Sequence, residues 1–314
     1  MGRFVLRRLL QSVVVLLGVT LVVFLLLQLV PGDPVRVSLG TRFDQQTYDA
    51  LRERSGLDRP LVVQYLSYVG NALTGDLGVS FRSGRPVTTI VLERLPATLS
   101  LAVTAVLLAL LVAFPLGVLS AVRSGSLVDH AARVFSQFGV SVPDFWMGIM
   151  GILLFAGVLG WLPPSGYVAL TDDPVGWASH VALPAAAVGL VTASILTRFI
   201  RSSVLEVLAE DYVRTAEAKG LRRRVVVVRH VLRNALIPVV TVVGVQLASL
   251  IGGVIVIEVL FAWPGVGRLT YDAVQARDYP VLQGAVLFVA TLFLLMNLLV
   301  DVLYARLDPR ITLR

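Results

Sequence analysis

Long apolar runs alternate with shorter polar segments along this chain. The first run, residues 9–30, contains no charged side chain and is long enough for a helix to cross a bilayer. Five further runs are similarly apolar: residues 95–122, 134–160, 181–200, 235–262 and 281–304. The pattern therefore predicts an all-α, polytopic membrane protein with six transmembrane helices.

Two acidic residues lie within the third and fifth runs. Asp144 follows Pro143, which cannot donate a backbone hydrogen bond and therefore predicts a kink or break in the third helix. A carboxylate at the bilayer centre costs about 2.5 to 3.5 kcal/mol, so such groups usually face protein or a water-filled path. The structural alternatives are a backbone cap at Asp144 and an interfacial anchor at Glu258. The residues that we assign to a translocation path or its gate are Pro143, Asp144, Phe145, Trp146, Glu258 and Phe261.

Residues 202–233 form a polar stretch between the fourth and fifth runs. Seven basic and four acidic residues give it a net charge of +3. Its apolar positions recur at three- and four-residue steps, which predicts one amphipathic helix at the membrane surface. These positions are Val204, Leu205, Leu208, Tyr212 and Ala216. Gly220 ends that helix, because glycine adopts the left-handed conformation that a sharp stop requires, and a second short helix is predicted to follow.

Three segments, in this order, resemble a known family. Residues 211–221 read Asp-Tyr-Val-Arg-Thr-Ala-Glu-Ala-Lys-Gly-Leu, and residues 229–238 read Arg-His-Val-Leu-Arg-Asn-Ala-Leu-Ile-Pro. Residues 252–267 read Gly-Gly-Val-Ile-Val-Ile-Glu-Val-Leu-Phe-Ala-Trp-Pro-Gly-Val-Gly. They resemble the coupling loop and fifth span of bacterial ABC-importer permeases, in the dipeptide, oligopeptide and nickel branch. Arg214 and Arg233 replace a Glu and a Pro of the broader importer pattern, which fits the peptide branch.

The resemblance covers nearly the whole chain and implies the type I ABC importer permease fold with a cytoplasmic coupling helix. It implies a first, B-type permease subunit that pairs with a second homologous permease, two cytoplasmic ATPases and an extracytoplasmic solute-binding protein. ATP and Mg would be bound by the ATPases, so this chain would hold no cofactor and no catalytic residue. The residues implied in ATPase coupling are Asp211, Tyr212, Arg214, Ala216, Ala218, Lys219, Gly220 and Leu221.

Composition agrees with a membrane protein and argues against several other classes. The chain is 56% hydrophobic, its mean hydropathy is +0.83, and it has no cysteine. The net charge of +7 rests on 26 arginines and one lysine, and these cluster at the ends of apolar runs, which argues against nucleic-acid binding. A P-loop needs a lysine followed by Ser or Thr, whereas Lys219 precedes Gly220. The three histidines stand apart without Cys or H-E-x-x-H partners, so we expect no metal site.

The arginine distribution predicts the orientation in the membrane. Seventeen basic residues lie in the N-terminal segment, residues 123–133, residues 198–233 and the tail 306–314, whereas the two short opposite loops hold two. Short cytoplasmic loops carry the excess of positive charge, so both termini are predicted to be cytoplasmic in a bacterial cytoplasmic membrane. We divide the chain into residues 1–95, an uncleaved first helix plus an extracytoplasmic segment, and residues 96–314, a five-helix permease core containing the coupling loop.

Three alternatives stay open at this point. Within the branch, a nickel-chelate or glutathione importer permease is an alternative to a dipeptide or oligopeptide permease. A rival from another class is an ion-coupled secondary transporter or channel, which predicts paired intramembrane charges or internal repeats that this sequence does not clearly display. An integral membrane enzyme would instead predict a cluster of catalytic groups at one depth.

Overall fold

A computed structural model describes residues 2–40 and 43–307 of the chain. Over these residues the regular structure is helical, and its one β-type pairing is an isolated antiparallel bridge between Val79 and Pro86. Most of the predicted cytoplasmic tail, residues 308–314, lies outside the described residues. The helices are α1 (Gly2–Gln28), α2 (Pro34–Leu39), α3 (Gln45–Ser55), α4 (Leu61–Leu73), α5 (Val87–Val122), α6 (Leu127–Ser141), α7 (Asp144–Gly151), α8 (Pro174–Leu208), α9 (Asp211–Ala218), α10 (Arg223–Val225), α11 (Leu232–Gly253), α12 (Ile255–Leu260), α13 (Val266–Gln275) and α14 (Tyr279–Leu307), with π-helical segments at Ile152–Val158 and Val226–Val231.

The predicted membrane architecture is confirmed in its main features. Five helices of the described chain are long and apolar enough to cross a membrane, and a bent pair gives six if it counts as one span. The five are α1, α5, α8, α14 and the continuous helical stretch that contains α11. The bent pair occupies the position of the third predicted run.

The third run is broken at the predicted position but is not straight. α6 ends at Ser141, and α7 begins directly after Pro143, at an angle of 100° between the two halves. Pro143 has an extended backbone, which stops one helix and starts the next. The helix also begins at Leu127 rather than at residue 134, because the Ser126 hydroxyl accepts a hydrogen bond from the Asp129 amide and caps it.

The other spans also differ from their predicted bounds at the ends; α5, for example, starts at Val87 rather than at residue 95. α8 starts at Pro174, where Asp173 accepts the Val175 amide, and it continues beyond residue 200 to Leu208. The fifth predicted run is divided, since α11 ends at Gly253 and the short helix α12 follows Val254. α8 continues into the polar stretch after residue 200, whereas apolar composition continues through the break at Val254, so hydropathy marks neither limit.

The segment between α1 and α5 folds against the transmembrane helices rather than standing apart. Ser80 donates to the carboxylate of the buried Asp278 at the start of α14, at 2.5 Å, and the Phe81 amide donates to the same carboxylate at 3.1 Å. Tyr65 of α4 lies within hydrogen-bond distance of Thr20 on α1, at 3.1 Å. These contacts fix the predicted outer segment to α1 and α14.

The centre of the molecule is the long pair α5 and α8, which pack along each other through small residues. A side-chain carbon at Gly189 of α8 would lie 2.9 Å from the Ala105 carbonyl oxygen of α5, so the two backbones approach closely here. At one end of this pair, Ile200 and Val204 of α8 join a buried apolar cluster that also includes Val213 of α9. The same cluster therefore supports both the transmembrane helices and α9.

Candidate functional site

Residues 204–216 of the polar stretch are divided between two helices where a single helix was predicted. α8 continues to Leu208, the backbone becomes extended at Glu210, and α9 begins at Asp211. The prediction that a single helical stripe runs from Val204 to Ala216 is therefore wrong. Val204 and Ala216 are buried as predicted, but Tyr212 is 41% exposed and Val213 takes the inward position.

The turn at Gly220 is confirmed. Its φ is +77°, in the left-handed region, and its amide donates to the Glu217 carbonyl oxygen at 2.9 Å. A side-chain carbon built at Gly220 would meet no atom within 4 Å. The requirement for glycine is thus one of backbone conformation and not of space. After the turn the chain becomes helical again at Arg223 and leads into α11.

α9 has an inward apolar side and an outward polar side. Val213 and Ala216 belong to the cluster that contains Val226 and Val231. The Tyr212 hydroxyl accepts a hydrogen bond from the Asn234 side chain at 2.8 Å, which ties α9 to α11. We call the outward side the α9 surface; its exposed members are Asp211, Arg214, Ala218, Lys219, Gly220 and Leu221. Seven of the eight residues that the resemblance implies in ATPase coupling are exposed, whereas Ala216 faces the core.

The bend at Pro143 places aromatic side chains on the outside of the chain. Phe145 and Trp146 are each 43% exposed. Asp144 is the first residue of α7, and its carboxylate accepts the Phe145 amide at 2.7 Å. Pro143, the residue before the helix, supplies no side-chain cap, so this carboxylate satisfies one of the amides that have no partner within the helix at its start.

Glu258 is completely buried and holds the start of α13. Thr98 of α5 donates to its Oε1 at 2.7 Å, and the Arg268 amide donates to its Oε2 at 2.9 Å. Thr98 in turn accepts the Val266 amide at 2.8 Å. A side chain at Gly265 would clash with this carboxylate, so the glycine leaves room for it. Glu258 therefore anchors α5, α12 and α13 to one another.

Phe261 is also buried, at 1% exposure, and it joins α12 to the bent third span. A side-chain carbon at Gly148 of α7 would lie 3.0 Å from the Phe261 ring. The Phe261 carbonyl oxygen accepts a hydrogen bond from the Gly166 amide at 2.9 Å. α7 and α12 pack against each other. The structure thus brings the Pro143 and Glu258 segments into one region, although they are far apart in sequence.

Sequence reasoning did not identify the ion pair of Asp129 with Arg201. The Arg201 Nε lies 2.7 Å from the Asp129 Oδ1, and Asp129 is 1% exposed. Each residue sits at the end of an apolar run, where a charged side chain is usual, and nothing in the sequence pairs them. Within the described chain no group of three or more His, Cys, Asp or Glu side chains could hold a metal ion.

The described chain is a helical membrane protein with a short surface helix between its fourth and fifth spans. In fold, it is similar to a chain of the MetNI methionine ABC transporter in an inward-facing conformation, with a TM-score of 0.57 at 17% identity over 70% of this chain and 96% of that one. It is also similar to an amino acid ABC transporter solved with histidines, with a TM-score of 0.52 at 15% identity over 71% of this chain and 95% of that one.

Sequence comparison identifies the family. Residues 113–313 match the family described as binding-protein-dependent transport system inner membrane component, and residues 1–102 match its N-terminal counterpart. The dipeptide transport system permease protein DppB of Escherichia coli K12 is 43% identical, with 99% of each chain covered. DppB of Alkalihalophilus pseudofirmus is 41% identical over 98% of each chain, and a putative peptide transport system permease of Brucella abortus is 42% identical over 99% of each.

The chain belongs to the binding-protein-dependent transport system inner membrane component family. It is a multi-pass inner-membrane permease and not an enzyme, as the sequence predicted.

Proposed function

We propose that this chain is the first, B-type permease subunit of an ATP-driven importer of dipeptides or oligopeptides. The observation that carries the substrate class is the identity of 41 to 43% over nearly the full chain with proteins named dipeptide transport permeases. The family branch that this chain resembles also includes importers of nickel chelates and glutathione, so experiment must exclude these two substrates.

The proposed assembly contains a second, homologous permease, two cytoplasmic ATPases that bind ATP and Mg, and an extracytoplasmic solute-binding protein. The α9 surface supports the contact with an ATPase, because it is polar and exposed while the opposite side of α9 is fixed in the core. In this proposal ATP binding moves the ATPases, α9 follows, and the spans change from inward-open to outward-open.

We place the translocation path or its gate at the bend of the third span. Phe145 and Trp146 present exposed aromatic rings there, while Pro143 and Asp144 set the bend. Glu258 and Phe261 belong to the same region, and in this proposal they support the gate from the buried side. We propose the division into residues 1–95 and 96–314 as a functional one and not as a boundary between folded units, since α5 runs through it and joins the two parts.

The proposed orientation puts both termini and the α9 surface in the cytoplasm. A cysteine at the exposed position Ser83 should then react with a membrane-impermeant maleimide in intact cells, whereas a cysteine at Arg222 should react only after membrane disruption. The chain has no native cysteine, so the unsubstituted protein is the background control. The reverse labelling pattern would contradict the orientation.

Co-purification tests the proposed function against its rivals. A tagged chain expressed with its neighbouring transport subunits should bring down two ATPases in detergent, because an importer permease cannot work without them. A chain that purifies alone and moves substrate in liposomes under an ion gradient would instead be a secondary transporter or channel. Either of these results decides between the classes.

A further inference from the structure

An ion pair between the buried Asp129 and Arg201, whose side chain is 23% exposed, joins three helices beside the segment that carries α9. Arg201 of α8 donates to both carboxylate oxygens of Asp129 on α6, with Nε to Oδ1 at 2.7 Å and Nη2 to Oδ2 at 3.0 Å. Ser120 of α5 donates to Oδ1 at 2.6 Å and lies 3.0 Å from the Arg201 Nε. The Gly125 amide donates to Oδ2 at 2.9 Å. All partners of this carboxylate come from α5, α6, α8 and the turn between α5 and α6.

A contribution to the stability of the fold is a weak explanation for the presence of this ion pair. Removing two charges from water costs several kcal/mol per ion, so apolar side chains of similar volume often stabilise a protein as well or better. A fully satisfied polar network does, however, fix its members in one geometry, since any other arrangement leaves a buried group unpaired. The network therefore holds the ends of α5, α6 and α8 in one relative position.

The chain on both sides of α9 is attached to this junction. α8 continues from Arg201 to Leu208, and only Ala209 and Glu210 separate it from α9. After the Gly220 turn, Arg223 donates through its Nη2 to the Val122 carbonyl oxygen at the end of α5, at 2.9 Å. α9 is thus connected to α8 on one side and, through the segment after the turn, to α5 on the other.

We propose that Asp129, Arg201 and Ser120 form a positioning clamp that makes α5, α6 and α8 move together when α9 is displaced. The inference rests on the proposed function, in which partner ATPases move α9. With the clamp closed, a force that enters through Leu208 displaces three helices as one body. With the clamp broken, the end of α8 moves without α5 and α6, and ATP hydrolysis is separated from substrate movement.

The test uses the full complex in proteoliposomes with its binding protein and a radiolabelled dipeptide. Asp129→Asn and Arg201→Gln should each lower the number of dipeptides transported per ATP hydrolysed by about fivefold or more, the lower end of usual coupling between sites. Arg201→Lys keeps the charge but loses the two-pronged geometry, so its ratio should fall between those of the wild type and Arg201→Gln. If Asp129→Asn or Arg201→Gln fails to fold, the Arg201→Lys variant still allows the ratio to be measured.

Arg133→Gln is the matched control. Its Nε lies 3.8 Å from the same Asp129 Oδ1, but its side chain is 51% exposed, and removing it should leave the ratio unchanged. Asp129→Asn and Arg201→Gln complexes that form in smaller amounts but keep the wild-type ratio would overturn the clamp and leave only a structural pair. Failure of the wild-type chain to bind ATPases would overturn the proposed function, and the clamp with it.

Discussion

A Gly220→Val variant is expected to reach the membrane in normal amounts and to lose about tenfold in ATP-driven uptake, equivalent to roughly 1.4 kcal/mol of lost coupling. Valine is β-branched and strongly disfavours the left-handed conformation that φ of +77° requires. A strained residue of this kind costs about 1 to 3 kcal/mol, which the turn can relieve by changing its backbone. A side-chain carbon at Gly220 meets no atom within 4 Å, so the backbone change that moves Lys219 and Leu221 on the α9 surface comes from strain and not from a clash.

Two control variants distinguish the effect of backbone strain at position 220 from the effect of replacing glycine there and from the effect of similar strain elsewhere. Gly220→Asn should keep most of the uptake, since asparagine tolerates the left-handed region better than other side chains. Gly160→Val introduces the same kind of strain, at φ of +64° with no atom within 4 Å, in the loop after the second half of the third span. It should spare ATPase binding. Wild-type uptake by a well-expressed Gly220→Val protein would contradict the role of this turn.

A Glu258→Ala variant is expected to lower the yield and thermal stability of the assembled complex by a large amount. The substitution leaves the buried Thr98 hydroxyl and the partly buried Arg268 amide without their acceptor. Each unsatisfied buried group costs about 1 to 3 kcal/mol, so the total loss is of the order of several kcal/mol. The measurement is the melting temperature and the amount of complex, together with dipeptide uptake per complex.

Glu258→Gln is the matched control for this prediction. Glutamine keeps the side-chain length and one oxygen acceptor for the start of α13, and its amide can donate to Thr98, so stability should fall less than in the alanine variant. If Glu258 is an anchor, uptake per assembled complex stays near the wild-type value in both variants. Normal stability with altered uptake would instead give Glu258 a direct part in the path.

Local features of the chain were predictable from its sequence. The spans follow from uncharged runs, the break in the third span follows from Pro143, and the turn after α9 follows from Gly220, because each depends on neighbouring residues alone. The break at Glu210 was missed since apolar spacing continues across it, and only the extended backbone there shows that α8 has ended.

Contacts between distant residues were not predictable in this way. Arg201 and Asp129 are 72 positions apart, and Thr98 and Glu258 are 160 apart. Each pair meets only where an earlier helix, α6 or α5, packs against a segment that follows much later in the chain. The sequence therefore identified Glu258 as unusual but could not name its partners, and it gave no reason to connect Asp129 with Arg201.

ATP-driven uptake of a dipeptide by the purified complex tests the central claim most directly. Proteoliposomes containing this chain, its partner permease, both ATPases and the binding protein should accumulate a radiolabelled dipeptide with ATP and Mg, and not with ADP. An excess of unlabelled dipeptide should abolish the signal, whereas nickel chelate or glutathione should leave it unchanged. Uptake that needs no ATPase, or a complex that hydrolyses ATP but transports only nickel chelate or glutathione, would contradict the account.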